Sequence, residues 1–275
     1  MAGGVYKVNQ TMINDLSASK YGSHASNLGA LVASSLSKQF NVDSFIVDPV
    51  TTDDFPPVAR ISGVPGIERK SRSHALNIKY CFRKACLELN KNPNEASMIV
   101  CHLGGGFSIA VVDGGKIIDV NDALLGMGPF SIERAGAIPI AGLLSLAYQS
   151  EYSKKEIEQF LSKQCGLKGY LGTNNFQNIE KQILKRDSKS ISVFKAMIYQ
   201  IVKEIGSCFG VLNGKCDGVI LTGGLSHSLI LQSELKQKLS FINKIFIYPG
   251  SFELDALCDG VLRVLKHQEK PKQYL

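Results

Sequence analysis

Short apolar runs alternate along this chain with longer stretches in which apolar residues recur at helical spacing. The short runs predict β-strands, and the sequence Asp113-Gly114-Gly115 between two of them favours a tight hairpin turn. The predicted strands cover residues 44–47, 98–101, 107–112, 116–120, 218–221 and 244–248.

The longer stretches predict helices, and Leu28, Leu31, Val32 and Leu36 fall on one face of the first of them. The predicted helices run from a lead-in at 23–27 to about 39, then over 67–90, 132–148 with an interruption near Pro139, 154–163, 191–213, from about 226, and over 252–265. Residues 268–275 are predicted to form a frayed tail. Because strands and helices alternate, we expect an α/β architecture.

Composition narrows the class of protein. The chain has 275 residues, 44% of them hydrophobic, which allows a sizeable core and one or two domains. Its 31 Lys and Arg exceed its 24 Asp and Glu by seven, which suits either nucleic acid or an anionic small molecule. The denser basic clusters at 181–189 and 266–272 contain no interleaved aromatic residues, so we expect a small-molecule substrate and no nucleic-acid partner.

The N-terminal residues and the cysteines indicate the cellular compartment. Residues 1–6 lack the basic end and apolar centre of a secretory signal, and no uncharged run is apolar enough to span a bilayer. The seven cysteines form no Cys-x-x-Cys pair, which favours reduced, mostly buried thiols over disulfides or a zinc site. The sequence therefore predicts a soluble, cytoplasmic protein with no membrane partner.

Two glycine-rich segments directly follow predicted strands. They are His102-Leu103-Gly104-Gly105-Gly106 and Thr222-Gly223-Gly224. Without Cβ atoms, such turns let backbone N–H groups approach phosphate oxygens closely. Either segment alone favours a simple tight turn, but the two together, each with a polar residue before its glycines, favour a nucleotide site.

Four polar residues stand at the ends of apolar elements, and each has a structural alternative. Asp48 follows a predicted strand, where open α/β folds bind ligands, but it also suits a turn. His74 ends a cationic stretch that could be a solvated helix face, and Arg134 could simply pair with its neighbour Glu133. Glu253 could be an acid that complements a helix dipole.

Read in order, these segments resemble the acetate/butyrate kinase family, most closely its butyrate kinases, over nearly the whole chain. The resemblance is carried by His24-Ala25-Ser26-Asn27-Leu28-Gly29-Ala30, Ile46-Val47-Asp48-Pro49-Val50, Ala59-Arg60-Ile61-Ser62-Gly63, Glu68-Arg69-Lys70-Ser71, His74-Ala75-Leu76-Asn77, His102-Leu103-Gly104-Gly105-Gly106, Ile118-Asp119-Val120-Asn121-Asp122-Ala123, Gly128-Pro129-Phe130-Ser131, Glu133-Arg134, Tyr170-Leu171-Gly172-Thr173-Asn174, Leu221-Thr222-Gly223-Gly224 and Tyr248-Pro249-Gly250.

The resemblance implies a two-domain sugar-kinase/actin/Hsp70-type fold with ATP between the domains. It divides the chain into the remainder of a first domain (1–96), a second, nucleotide-binding domain (97–250) and a C-terminal helix region (251–275) that packs back towards the first domain. It also implies reversible Mg²⁺-dependent transfer of the ATP γ-phosphoryl group to butyrate, giving butanoyl phosphate and ADP. We further expect a homodimer or higher homo-oligomer.

Roles for individual residues follow from the same resemblance. His102 and Gly104, Gly105 and Gly106 match a phosphate-contacting hairpin, and Thr222, Gly223 and Gly224 match an adenosine-side turn. Asp48 and Glu253 match acids near the metal and the phosphoryl group. His74 and Arg134 match cations that stabilise the transferring phosphoryl group, and His24 matches a further active-site histidine.

The resemblance departs from the family pattern at the beginning of the chain. Residues 3–9 resemble a point well inside the first domain, and no phosphate-binding loop rich in Asn, Gly, Ser and Thr precedes them. We therefore expect a first domain that is incomplete at its N-terminus. An alternative function is a catalytically impaired homologue that binds at most nucleotide or a partner.

Overall fold

In the computed structural model, which describes residues 1–20, 25–149 and 151–275, a five-stranded mixed sheet lies between two layers of helices. Its strands are β3 (Ser97–Leu103), β4 (Phe107–Asp113), β5 (Lys116–Val120), β6 (Gly218–Gly223) and β7 (Ile245–Pro249), in the order β5-β4-β3-β6-β7. The β3–β4 and β4–β5 pairs are antiparallel, whereas β3–β6 and β6–β7 are parallel. A second, two-stranded antiparallel sheet pairs β1 (Val5–Lys7) with β2 (Phe45–Val47).

The helices fall into three groups along the chain. Before β3 lie α1 (Gln10–Ser17), α2 (Leu28–Phe40), α3 (Pro57–Arg60) and α4 (Ala75–Glu88). Between β5 and β6 lie α5 (Ile140–Gln149), α6 (Lys154–Lys163), α7 (Gly166–Leu171), α8 (Phe176–Leu184) and α9 (Ser188–Val211). The remaining two are α10 (Leu229–Lys238) and α11 (Glu253–Leu265).

Alternation of side chains along the central strands creates two cores. In β3, Ile99 and Cys101 point into a core with α9, whereas Met98 and Val100 point into a core with α4. Because both faces are covered, β3 and β6 are apolar almost throughout, and beyond Ser97 at the start of β3 the polar exceptions are His102 and Thr222. The two polar residues are register partners at the C-terminal edge of the parallel pair, which is the usual ligand-binding edge of α/β sheets.

The α/β prediction is confirmed, but the predicted helix 67–90 begins only at Ala75. The residues immediately before it form no helix, because their backbone groups pair elsewhere. Arg69 N donates to the Arg60 carbonyl at 2.8 Å, and Ala123 N donates to the Arg72 carbonyl at 3.0 Å. The Arg69 guanidinium also contacts Asp119, at 2.6 Å between Nη2 and Oδ1, which ties this segment to the central sheet.

The predicted helix 132–148 is likewise shorter and begins at Ile140. Residues 131–134 form a loop whose carbonyls accept hydrogen bonds from the region around α7. Cys165 N donates to the Glu133 carbonyl at 3.0 Å, and Leu167 N donates to the Ser131 carbonyl at 3.0 Å. This pairing holds Arg134 in a fixed loop instead of on a helix.

The prediction of a frayed tail is wrong. Lys272 pairs with β1, where its N–H donates to the Val5 carbonyl at 2.7 Å and its carbonyl accepts from Lys7 N at 3.2 Å. Tyr274 is buried, and its hydroxyl donates to Asp15 Oδ2 at 2.6 Å. None of the helices in the described part of the chain is both long and apolar enough to cross a lipid bilayer.

Candidate active site

The glycine turn between β3 and β4 packs directly against Arg134. A methyl group on Gly106 would lie 2.3 Å from Arg134 Nη1, so only glycine leaves room for the guanidinium at this position. Gly104 is half-buried and Gly105 is exposed, which leaves the outer side of the turn open. Ser131 Oγ donates to the Gly105 carbonyl at 2.6 Å and fixes the turn to the loop that carries Arg134.

Arg134 is a partly buried cation with an anchored guanidinium. Its Nη1 donates to the Ala123 carbonyl, and its backbone N–H donates to Ser131 Oγ at 3.2 Å. Burial lowers the pKa of Arg134, while the neighbouring Glu133 and Asp122 carboxylates oppose that shift. The side chain keeps its charge, because arginine is effectively always protonated in proteins.

His74 and His102 form a stacked pair beside the turn. Their ring centroids are 3.9 Å apart and the ring planes differ by 7°. His74 occupies the N-cap position of α4, and its Nδ1 lies 2.8 Å from Ser108 Oγ on β4. Burial and, to a smaller extent, the nearby His74 lower the pKa of His102 to about 3.

A cleft of about 760 Å³ opens over this region, and both His74 and Arg134 line it. Its other basic side chains are Lys20, Arg60, Lys70 and Arg72, against the two acids Asp53 and Glu68. Ser71 and Ser73 also line the cleft, and within the described residues their buried hydroxyls have no hydrogen-bond partner. An excess of fixed positive charge in a concave site favours an anionic ligand.

Asp48 ends β2 with a left-handed backbone (φ +36°) and is buried. Its Oδ1 accepts from Gly4 N at 2.7 Å and lies 2.9 Å from Lys79 Nζ. Its Oδ2 is buried and has no hydrogen-bond partner in the part of the chain that the structure describes. Asp48 is not among the residues that line the cleft, although Val50 and Thr51 just after it are.

The second glycine segment lies at the end of β6. Gly223 has φ +87°, and a methyl group there would lie 2.4 Å from the Leu103 carbonyl oxygen, so glycine is required. Its N–H and carbonyl both pair with Gly250, at 2.9 and 3.1 Å. Gly224 is exposed, and a methyl group on it would have no atom within 4 Å, so this residue is the one in the segment open to a ligand.

The two acidic residues predicted to lie near the metal, Asp48 and Glu253, differ in their surroundings. Glu253 is exposed at the start of α11, where Ser251 Oγ donates to its carboxylate. Across residues 1–20, 25–149 and 151–275, no group of three or more His, Cys, Asp or Glu is placed to hold a metal ion. Magnesium usually needs only one or two carboxylates besides phosphate and water, and the unpartnered Oδ2 of Asp48 fits that requirement.

The structure therefore brings some predicted residues together and separates others. His74 and Arg134 line the cleft, Gly106 packs against Arg134, and His102 stacks behind His74. Thr222 and Gly223 form hydrogen bonds to Gly250 inside the protein. One carboxylate oxygen of Asp48 likewise accepts a hydrogen bond from within the protein. His24 lies outside the described residues.

Sequence reasoning assigned no functional role to several polar residues that shape the site, namely Ser71, Ser73, Asn77, Ser108 and Ser131. Asn77 had a usable signal. It stands three positions after His74, among apolar residues at the spacing of the buried face of a helix. An asparagine on that face must find hydrogen-bond partners in the interior.

Comparison with known proteins relates the chain to one family. The sequence profile of the acetokinase family matches residues 65–242. Among solved structures, acetate kinase from Porphyromonas gingivalis superposes with a TM-score of 0.83 at 18% identity, over 96% of this chain and 75% of that one. A propionate kinase from Francisella tularensis subsp. tularensis SCHU S4 gives 0.77 at 20% identity, over 94% and 75%. Acetate kinase from Entamoeba histolytica gives 0.79 at 16% identity, over 95% and 76%.

Proposed function

This chain belongs to the acetokinase family, and from that premise we propose that it is a carboxylate kinase acting on a short-chain fatty acid. The observation that carries the proposal is that Arg134 and His74 line one basic cleft while the Gly104–Gly106 turn packs against Arg134. The phosphoryl donor is proposed to be ATP, with ADP as the product. In the reaction, a carboxylate oxygen of the acid attacks the γ-phosphorus, and the bond from that phosphorus to the oxygen bridging to ADP breaks.

The acceptor needs no strong general base, because a carboxylic acid is already ionised near pH 7. The obstacle is repulsion between the acceptor carboxylate and the phosphate oxygens, which cations and positioning overcome. Arg134 supplies a cation whose guanidinium is held in place by the Ala123 carbonyl. The backbone N–H groups of Gly105 and Gly106 and the ring of His102 are proposed to hold phosphate oxygens, whereas the Gly104 N–H donates to the Gly106 carbonyl at 3.3 Å. Gly224 is proposed to face the nucleotide.

Magnesium is proposed to be held by Asp48, with Glu253 as a second carboxylate. When bound, the ion would neutralise part of the charge on the phosphate oxygens. Asp48 suits this task because one oxygen is engaged by Gly4 N and Lys79, which orients the carboxylate, while Oδ2 has no partner in the described structure. Carboxylate oxygens are the hard ligands that magnesium prefers.

Butyrate is the acceptor that we propose among short-chain acids. The ordered segments along nearly the whole chain resemble butyrate kinases most closely. Apolar side chains of Val50, Ala123 and Leu124 line the same cleft as Arg134, which suits an acyl chain longer than that of acetate. Domain boundaries, the homo-oligomeric state and the cytoplasmic location stay predictions.

The test is the formation of acyl hydroxamate from ATP, Mg²⁺ and each of acetate, propionate, butyrate and isobutyrate. We expect butyrate to give the highest kcat/KM, and Arg134→Ala to lower kcat by about 10²–10³-fold. Lys154→Ala is the control, because the Lys154 side chain is 91% exposed on α6 and does not line the cleft.

The outcomes distinguish the general proposal, a carboxylate kinase, from the specific one, butyrate as its acceptor. A higher kcat/KM for acetate or propionate would reject butyrate but keep the carboxylate kinase. Nucleotide binding without product from any acid would reject the kinase and support the impaired homologue. Turnover that Arg134→Ala leaves unchanged would reject the assigned site.

A further inference from the structure

Asn77 is a buried asparagine of α4 whose side chain connects three other elements. Its Oδ1 lies 3.0 Å from the backbone nitrogen of Phe252, at the start of α11. Its Nδ2 lies 2.9 Å from His102 Nδ1 on β3 and 3.2 Å from Thr222 Oγ1 on β6. The residue is 1% exposed, so these contacts must satisfy its polar atoms.

The orientation of this amide follows from its neighbours. The Phe252 backbone N–H can only donate, so the group facing it must be the acceptor Oδ1 of Asn77. The amide nitrogen, with its two hydrogens, then faces His102 and Thr222. Thr222 Oγ1 can accept one hydrogen because its own hydroxyl hydrogen is directed to the Gly250 carbonyl, 3.2 Å away.

The second amide hydrogen determines the tautomer of His102. Since Asn77 Nδ2 donates, His102 Nδ1 must accept, and a neutral imidazole that accepts at Nδ1 carries its hydrogen on Nε2. Nε2 lies beside the glycine turn, because a methyl group on Gly104 would be 3.3 Å from it. Within the described chain, no residue accepts a hydrogen bond from this N–H.

We propose that Asn77 is a positioning residue that holds His102 as the neutral Nε2–H tautomer and so presents an uncharged donor to an anionic oxygen at the Gly104–Gly106 turn. The tautomer stands on the hydrogen-bond geometry alone. Its use towards a phosphate oxygen rests on the proposed function. A fixed donor aimed at a site of charge needs no reorganisation when the anion arrives, which is the arrangement that favours catalysis.

The test is long-range ¹H–¹⁵N correlation NMR on the full chain labelled with ¹⁵N-histidine. The sequence has five histidines, and the absence of one set of signals in His102→Gln assigns His102. We expect His102 to show a protonated Nε2 and an unprotonated Nδ1 near pH 7. The opposite tautomer, a mixture of tautomers or a charged ring in the unmodified chain would overturn the proposal.

Two substitutions of Asn77 test whether this residue determines the tautomer of His102. Asn77→Asp keeps an acceptor for Phe252 but presents only acceptors to His102, so we expect a hydrogen to move onto Nδ1. Asn77→Ala removes the donor, and we expect a mixture of tautomers. If the aspartate variant does not fold, the alanine variant and the unmodified spectrum decide the question.

Asn121→Ala is the matched control. Asn121 is a buried asparagine whose side chain bonds only to backbone, accepting from Ile109 N at 2.7 Å and donating to the Phe107 carbonyl at 3.0 Å. We expect this variant to lose stability but keep the Nε2–H tautomer. A change of tautomer in Asn121→Ala, or none in either Asn77 variant, would overturn the proposal.

Kinetics provides a separate readout. We expect Asn77→Ala to lower kcat about 10–100-fold with a smaller change in the KM for ATP, as for other groups that orient a functional histidine. If the unmodified chain has no kinase activity, the proposed function fails, whereas the NMR result still decides the tautomer. If the kinase is active and Asn77→Ala changes only KM, the catalytic use of the tautomer is rejected.

Discussion

The imidazole rings of His74 and His102 stack face to face, with centroids 3.9 Å apart and planes 7° from parallel. The two rings differ in environment, since His74 lines the cleft and His102 is buried behind it. Two adjacent charged imidazoles would repel each other, and burial already disfavours the charged form of His102. The pair therefore places an electrically neutral ring next to one that faces the ligand.

The first prediction concerns stability in acid. The pKa of His102 is about 3 in the folded protein, against an ordinary value near 6.5, so the unfolded chain binds a proton that the folded chain does not between these pH values. Proton uptake by the unfolded chain favours unfolding. As the pH falls from 6.5 towards 3, it should lower the free energy of unfolding by up to about 1.4 kcal/mol per pH unit. We expect His102→Gln to show a shallower acid decline in urea unfolding measured between pH 7 and 4.

His267→Gln is the control for that experiment, because His267 is exposed beyond the end of α11. It should keep the slope of the unmodified protein. Equal slopes for His102→Gln and His267→Gln would contradict the assignment of the acid sensitivity to the buried ring.

The second prediction uses two neighbouring glycines. Gly106→Ala would place a methyl group 2.3 Å from Arg134 Nη1, whereas Gly105→Ala would meet no atom within 4 Å. We expect Gly106→Ala to lower the free energy of unfolding by about 1–3 kcal/mol, as in other overpacked sites, and Gly105→Ala to change it by less than about 0.5 kcal/mol. Thermal and urea unfolding of both variants measure this difference, and equal losses would show that the guanidinium does not occupy that space.

The third prediction concerns the ion pair of Asp48 and Lys79, which are 1% and 9% exposed at their side chains. Removing one charge leaves the other buried without its partner, so Lys79→Met alone should lower the free energy of unfolding by about 3–5 kcal/mol. The double variant Asp48→Asn/Lys79→Met should be more stable than Lys79→Met, because of the two carboxylates beside Lys79 only Asp54, at 3.9 Å from Lys79 Nζ, is then left without a cation. Urea unfolding of the single and double variants forms the cycle, and additive losses would mean that the two residues do not interact.

Much of the central sheet could be predicted because its signals are local. The strands that became β3 to β7 are short, mostly apolar runs, and the Asp113-Gly114-Gly115 sequence indicated the hairpin between β4 and β5. The failures come from tertiary contacts that override local preference. Residues 67–74 have helix-compatible composition, yet pairing with Arg60 and Ala123 keeps them out of a helix.

The candidate site was predictable as a set of residues but not as a geometry. The position of His74 and Arg134 at one cleft depends on where the 67–74 and 131–134 segments pack, which no local pattern reveals. The role of Asn77 depends on Phe252, a residue 175 positions away in the sequence. Likewise, the internal pairing of Gly223 with Gly250 could not be read from the Thr222-Gly223-Gly224 segment.

The last prediction tests the C-terminal residues that pack on β1. Tyr274 is 7% exposed, and its hydroxyl donates to Asp15 Oδ2 at 2.6 Å, whereas the next residue, Leu275, is fully exposed. Tyr274→Ala removes a buried aromatic ring and should lower the free energy of unfolding by about 3–5 kcal/mol. Tyr274→Phe removes only the hydrogen bond and should lower it by about 1 kcal/mol, while Leu275→Ala should leave it unchanged. Urea unfolding of the three variants measures this order, and a Tyr274→Ala variant as stable as Leu275→Ala would mean that the tail does not pack on β1 in solution.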